Sequence, residues 1–86
     1  MNDYYALEKE RYTTLDVYEA AFFLMEDIEP ELLSRNGKVI FYYDTSPELL
    51  SSMGRYRSGG MVSAQSYAQA IKHLKGRIFA KKEKFQ

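Results

Sequence analysis

The dipeptide Asn36-Gly37 stands between two apolar-rich segments, Glu31–Arg35 and Lys38–Asp44, and constrains the fold more than any other feature of the chain. Asn and Gly tolerate positive φ, which both central positions of a type I′ turn require, and that turn matches the twist of paired strands. A two-residue loop sets the register: Arg35 faces Lys38, Ser34 faces Val39, Leu33 faces Ile40 and Leu32 faces Phe41. Side chains alternate along a strand. One face of the hairpin therefore carries Leu32, Val39, Phe41 and Tyr43 and is the expected core face. The other carries Leu33, Ile40 and Tyr42, diluted by Glu31, Arg35 and Lys38, and is apolar enough to need a cover.

Helical signals lie on both sides of the hairpin. Thr13 is expected to cap a first helix, with Asp16 as its third residue and Tyr12 and Val17 as a hydrophobic staple. Val17, Ala20, Ala21, Leu24 and Ile28 follow the 3.6-residue period, and Tyr18, Phe22, Phe23 and Met25 widen the stripe. This helix should run to about Asp27 and be central, or covered by a second chain, before Pro30 prevents its continuation. Ser46-Pro47-Glu48 reads as cap, first-turn proline and first-turn acid of a short helix through Leu49, Leu50, Met53 and Tyr56, stopping at Ser58-Gly59-Gly60. Ser63 opens a long last helix, with Val62 and Tyr67 as staple and Ala64, Tyr67, Ala68, Ile71, Leu74 and Ile78 on one face. Residues 1–12 alternate too poorly to assign and are read as an arm, loose or docked as a strand. Residues 81–86 are read as a frayed basic tail. The expected fold is thus a single α+β domain over residues 1–86: a β-hairpin packed with an N-terminal helix, a short helix and a long C-terminal helix.

Composition removes most chemistries. The chain has no cysteine and a single histidine, His73, which excludes disulfides, thiolate nucleophiles and zinc fingers. No metal or cofactor is expected. The longest apolar run, Ala20–Met25, is far short of the ~20 residues of a membrane span. Nor does the N-terminus carry the basic and apolar regions of a signal peptide. A cysteine-free chain of this kind suits a cytoplasmic setting without membrane attachment. Its net charge of zero hides a polarity: residues 1–43 hold nine acids and four bases, residues 44–86 three acids and eight bases. Such halves attract each other within one chain, between copies, or toward a charged partner.

Each local cluster of charged or polar residues has a plain structural role open to it. His73 lies about 200° from Ile71 around the last helix, with no acid or hydroxyl three or four residues away, so catalysis is not expected of it. The run Glu26-Asp27-x-Glu29-x-Glu31 lacks the spacing of a calcium loop and reads as an acidic surface or as a partner for Lys and Arg. Arg55-Tyr56-Arg57-Ser58-Gly59-Gly60 has the ingredients of an anion site but no complete phosphate loop. It reads more simply as a basic helix C-terminus with its stop. Lys72, Lys75, Arg77, Lys81, Lys82 and Lys84 surround the last helix instead of lining one side. Lys75 falls within the apolar arc and is expected to snorkel or to meet an acid.

Several residues together resemble a known family. They are Thr13-x-x-Asp16 leading to Ala20-Ala21-Phe22, the strand Val39-Ile40-Phe41-Tyr42, Tyr56 before Gly59-Gly60, then Val62 and a closing helix with Ile71, Leu74-Lys75 and Ile78. The chain resembles, over most of residues 13–79, a family of small uncharacterised bacterial domains known only as a domain of unknown function. The resemblance implies a compact α+β fold, no activity and no catalytic residues. From the residues themselves the expected function is a non-catalytic interaction module, binding itself or another protein through Leu33, Ile40 and Tyr42. The alternative is a nucleic-acid accessory protein using Arg55, Arg57, Lys72, Arg77, Lys81, Lys82 and Lys84.

Overall fold

Asn36 and Gly37 both take positive φ, +55° and +79°, and turn the chain between β2 (Glu31–Arg35) and β3 (Lys38–Asp44). The pairing is the one the two-residue loop dictates, from Arg35 opposite Lys38 to Leu32 opposite Phe41. The computed structural model describes residues 11–83. Within them the order is β1 (Arg11–Thr14), α1 (Val17–Met25), β2, β3, α2 (Pro47–Arg57) and α3 (Ala64–Glu83). The expected N-terminal arm up to Glu10, and Lys84 in the expected basic tail, lie outside the described residues.

β1 corrects the sequence reading. Thr13 does not cap α1; it pairs with Tyr42, and Arg11, Tyr12 and Thr14 pair with Asp44, Tyr43 and Phe41. Two successive β-branched residues favour the extended chain, and β3 offers them a free edge. The cap moves to Asp16, whose Oδ1 accepts from the Tyr18 amide at 2.9 Å, while Thr14 Oγ1 accepts from the Asp16 amide at 3.0 Å. Tyr12 leaves the helix staple and instead packs edge-on against Phe23, with ring centres 6.4 Å apart. Among the described residues the sheet is antiparallel and three-stranded, in the order β1-β3-β2.

α1 ends two residues earlier than the periodicity suggests, by a Schellman turn. The amides of Asp27 and Ile28 donate to the carbonyls of Leu24 and Phe23 at 3.0 and 2.9 Å, with Asp27 at φ +65°. α2 follows its sequence signals: Ser46 Oγ accepts from the Leu49 amide at 3.0 Å, and Pro47 opens the first turn. It closes on a second Schellman turn, in which the Gly59 and Gly60 amides donate to Tyr56 and Arg55 carbonyls at 3.3 and 2.7 Å. At the start of α3 the Ser63 side chain accepts from the Ser66 amide at 3.4 Å, and Val62 and Tyr67 both pack on the core.

The core joins both layers. Phe23 of α1, Phe41 of β3, Leu49 of α2 and Leu74 of α3 are fully buried, beside Ala20, Ala21, Phe22, Tyr43 and Ala70. α1 packs on α3, α2 and β1, so its apolar circumference is covered largely by its own chain. α3 turns Ala70 and Leu74 inward instead of centring on Ile71, which leaves Ala64, Ala68 and Lys75 exposed. Lys75 therefore does not lie in the buried arc, because that arc is set by contact with α1 and the sheet.

Gly60 is sterically required. A Cβ there would sit 2.9 Å from the Arg55 carbonyl oxygen and 3.1 Å from the Phe22 ring. Gly60→Ala is expected to lower stability by about 1–3 kcal/mol, read as a lower urea midpoint at unchanged slope.

Candidate functional site

The two-residue period of the strands divides the sheet. Tyr12, Leu32, Phe41 and Tyr43 belong to or pack against the core, whereas Leu33, Ile40 and Tyr42 do not. The register places Arg11 and Thr13 of β1 and Glu31, Leu33 and Arg35 of β2 on the same outer face as Lys38, Ile40, Tyr42 and Asp44 of β3. Leu33 is 37% exposed, and Ile40 and Tyr42 are half-buried by their neighbours in the sheet. Arg11, Thr13, Leu33, Arg35, Ile40 and Tyr42 line a shallow concavity of about 260 Å³. The three residues singled out from the hairpin pattern are thus brought together, and β1 widens their face.

Charge on this face is cationic at the turn end and mixed at the other, where Arg11 stands beside Asp44 and Glu31. Arg35 and Lys38 stand opposite each other at the turn end, and Glu31 and Asp44 lie toward the other end. Leu33, Ile40 and Tyr42 fill the middle. Arg11 holds Asp44 through Nε at 3.1 Å and lies over the Tyr42 ring, 5.3 Å from its centre. Arg11 and Asp44 are both more than half exposed, so their ion pair contributes at most about 1 kcal/mol. It orients the arginine more than it stabilises the fold.

The arginines considered for an anion site do not converge. Arg55 pairs with Glu26, whose carboxyl it holds below the usual carboxylate range by hydrogen bonding. Arg57 lies 4.0 Å from Glu19, and Arg77 is 3.4 Å from Glu29. Lys81 borders a separate hollow with Glu31, Leu32, Arg77 and Ala80. Lys72 and Lys82 are exposed along α3, as is His73. The acidic run is likewise spread, with Glu26 and Glu29 serving as partners for arginines and Glu31 on the outer face of the sheet. Among the described residues, no three His, Asp or Glu side chains converge as a metal site would require.

One polar centre escaped the sequence reading. Glu19, on the central helix, is 5% exposed. Both its carboxylate oxygens lie 2.9 Å from the hydroxyl of Tyr12, the donor, and Arg57 approaches from α2. A buried carboxylate is costly unless hydrogen-bonded and paired; here it ties β1 and α2 to α1. The signal was present, because Glu19 is the single charged residue within Val17–Met25. Tyr43 lies against the same helix, its ring 5.2 Å from that of Phe23, and its buried hydroxyl has no hydrogen-bond partner among the described residues.

The tyrosines around this centre are harder to ionise than usual. Burial raises Tyr12, and the hydrogen bond to Glu19 raises it further. Burial also raises Tyr43, assisted by the Glu19 charge. Tyr56 is pushed up to about 12 by burial and by Asp16, to which its hydroxyl donates at 3.4 Å. Tyr67 is raised by burial and then by Asp16.

The model of the family Domain of unknown function (DUF5659) matches residues 9–80. No curated protein and no solved structure matches the chain.

Two tyrosine variants should move stability in different directions. Tyr12→Phe is expected to cost about 1.5–3 kcal/mol, because it removes a hydrogen bond to a buried charge. Tyr43→Phe should be neutral or stabilising by up to about 1 kcal/mol, because it removes a buried hydroxyl without a partner. Both are checked by urea denaturation at neutral pH. The unfolded chain releases tyrosine protons near pH 10, while these folded tyrosines hold theirs to higher pH. Stability should therefore be retained below about pH 10 and fall as pH rises toward about 12. Tyr56→Phe should flatten that fall in denaturation midpoints measured against pH.

Proposed function

We propose that this chain, which belongs to the family Domain of unknown function (DUF5659), is a non-catalytic interaction module whose partner is a second copy of itself. The observation that carries the reading is the outer face of the sheet, with an apolar middle between a cationic turn end and an end at which Glu31 makes no ion pair among the described residues. A face of this kind is self-complementary. A two-fold axis lying in the interface and running across the strands sets Arg35 of one copy against Glu31 of the other, and Lys38 against the Tyr42 ring. Leu33 and Ile40 then meet their counterparts near the axis, the isologous arrangement favoured by homodimers. Two sheets packed in this way bury apolar side chains between layers about 10 Å apart.

Size sets the strength of this association. Three strands about 4.8 Å apart, four to seven residues long, give a footprint on the order of 300 Å² per copy. A stable interface buries about 800 Å² per partner. The dimer is accordingly weak and exchanging, with a dissociation constant of roughly 10⁻⁴ M, equivalent to about −5.5 kcal/mol. The nucleic-acid alternative draws in part on Arg55, Arg57 and Arg77, whose guanidinium groups lie beside carboxylates of the same chain. Among the described residues, Leu33 and Ile40 on the outer face of the sheet take no part in the packed core.

Sedimentation velocity over a micromolar to millimolar range should show concentration-dependent dimer formation. Ile40→Lys should abolish it with the fold intact by circular dichroism. Arg35→Glu and Glu31→Arg should each weaken it, and the double exchange should restore it, because the two positions meet across the axis. A strict monomer at millimolar concentration, or a dimer indifferent to Ile40→Lys, would overturn the reading.

A further inference from the structure

The inward side of α3 is centred on Ala70 and Leu74, so the side facing away from the sheet is read at about 100° per residue from that centre. With Lys72 as origin, Phe79 falls at about −20°, Lys75 at about −60° and Lys82 at about −80°, in the spacing i, i+3, i+7, i+10. All four are exposed, and Phe79 is 65% exposed. The rise of the helix puts Lys75, Phe79 and Lys82 about 4.5, 10.5 and 15 Å beyond Lys72 along its axis. Among the described residues, ion pairs are made by Arg11, Arg55, Arg57 and Arg77, and by none of these three lysines. The single acid in α3 is its last residue, Glu83. Among the described residues, Arg55, Arg57 and Arg77 are thus engaged by carboxylates, and one exposed aromatic ring lies among three lysines that make no ion pair.

We propose that this stripe of Lys72, Lys75, Phe79 and Lys82 binds single-stranded nucleic acid, with a base stacked on the Phe79 ring and phosphates at the three lysines. Stacking on an exposed aromatic within a cationic track is the general physics of sequence-tolerant single-strand binding. In a duplex the base faces are already stacked on one another and the ring has no surface to meet. An anionic membrane is the poorer fit, because an interfacial helix needs a broad apolar face. Here the apolar contact is one phenylalanine between lysines. The inference is independent of self-association, since α3 uses its opposite side against α1 and the sheet.

The test is fluorescence anisotropy of the full chain with labelled oligothymidylate and oligoadenylate RNA at low ionic strength. Three phosphate contacts predict a slope near −2 in log affinity against log salt, so a fourfold rise in salt should weaken binding about 20-fold. Phe79→Ala should weaken binding about tenfold. The triple variant Lys72→Gln, Lys75→Gln, Lys82→Gln should lose it. Phe79 and the lysines are on the surface, so circular dichroism of each variant should match the parent chain. The proposal is overturned by absence of binding at about 20 mM salt, by equal affinity for duplex, or by indifference to Phe79→Ala. Retention on phosphatidylserine vesicles without binding to either oligonucleotide would also overturn it.

Discussion

β3 is hydrogen-bonded on both edges, to β1 and to β2, and its two-residue period sends Val39, Phe41 and Tyr43 to one side and Ile40 and Tyr42 to the other. That division places nearly everything else. The inner side chains require a cover, and α1, with Ala20, Ala21, Phe22 and Phe23 buried, supplies it with α3 behind. Among the described residues, α1 and α3 pack on the inner side with α2 against α1, and no helix covers the outer side. Open apolar surface on Leu33, Ile40 and Tyr42 is therefore a consequence of how a short chain covers one side of a sheet.

Part of the charge polarity of the chain is spent inside the fold. Arg55, Arg57 and Arg77, all from the basic half, meet Glu26, Glu19 and Glu29 from the acidic half. These contacts run from α2 and α3 back to α1 and the segment after it, and they reinforce the apolar packing along the same lines. Glu19 differs from the others because it is buried. Its carboxylate is held by Tyr12 from a strand and approached by Arg57 from a helix, so the separation of those elements would leave a charge without partners. Exposed pairs such as Arg11–Asp44 carry no comparable penalty. Among the described residues, the positive charge that this pairing leaves is Arg35 and Lys38 at the hairpin turn and the lysines of α3.

Much of the architecture was legible because its causes are local. Asn36-Gly37 determines the turn through backbone sterics alone, and the turn determines the register and therefore which side chains share a face. Ser46-Pro47 and Ser63 begin helices by satisfying free amides within a few residues, and Gly59-Gly60 ends one by allowing a left-handed turn. Leu33, Ile40 and Tyr42 followed from the register without reference to the rest of the molecule. Thr13-x-x-Asp16 shows the limit of such reasoning. Its residues suit a helix cap at Thr13 and equally suit a strand ending before a cap at Asp16, and only the free edge of β3, nearly thirty residues away, chooses between them.

By itself, then, the sequence determined the hairpin, the ends of α2, the start of α3 and the α+β class, since each depends on short-range sterics and hydrogen bonding. Tertiary structure decided the third strand, the burial of Glu19, the pairing of the arginines and the rotation of α3 that exposes Lys75 and Phe79. Those outcomes depend on which surfaces meet. A periodic pattern records that a helix has an apolar side, but the axis of that side is set by the neighbour against which it packs.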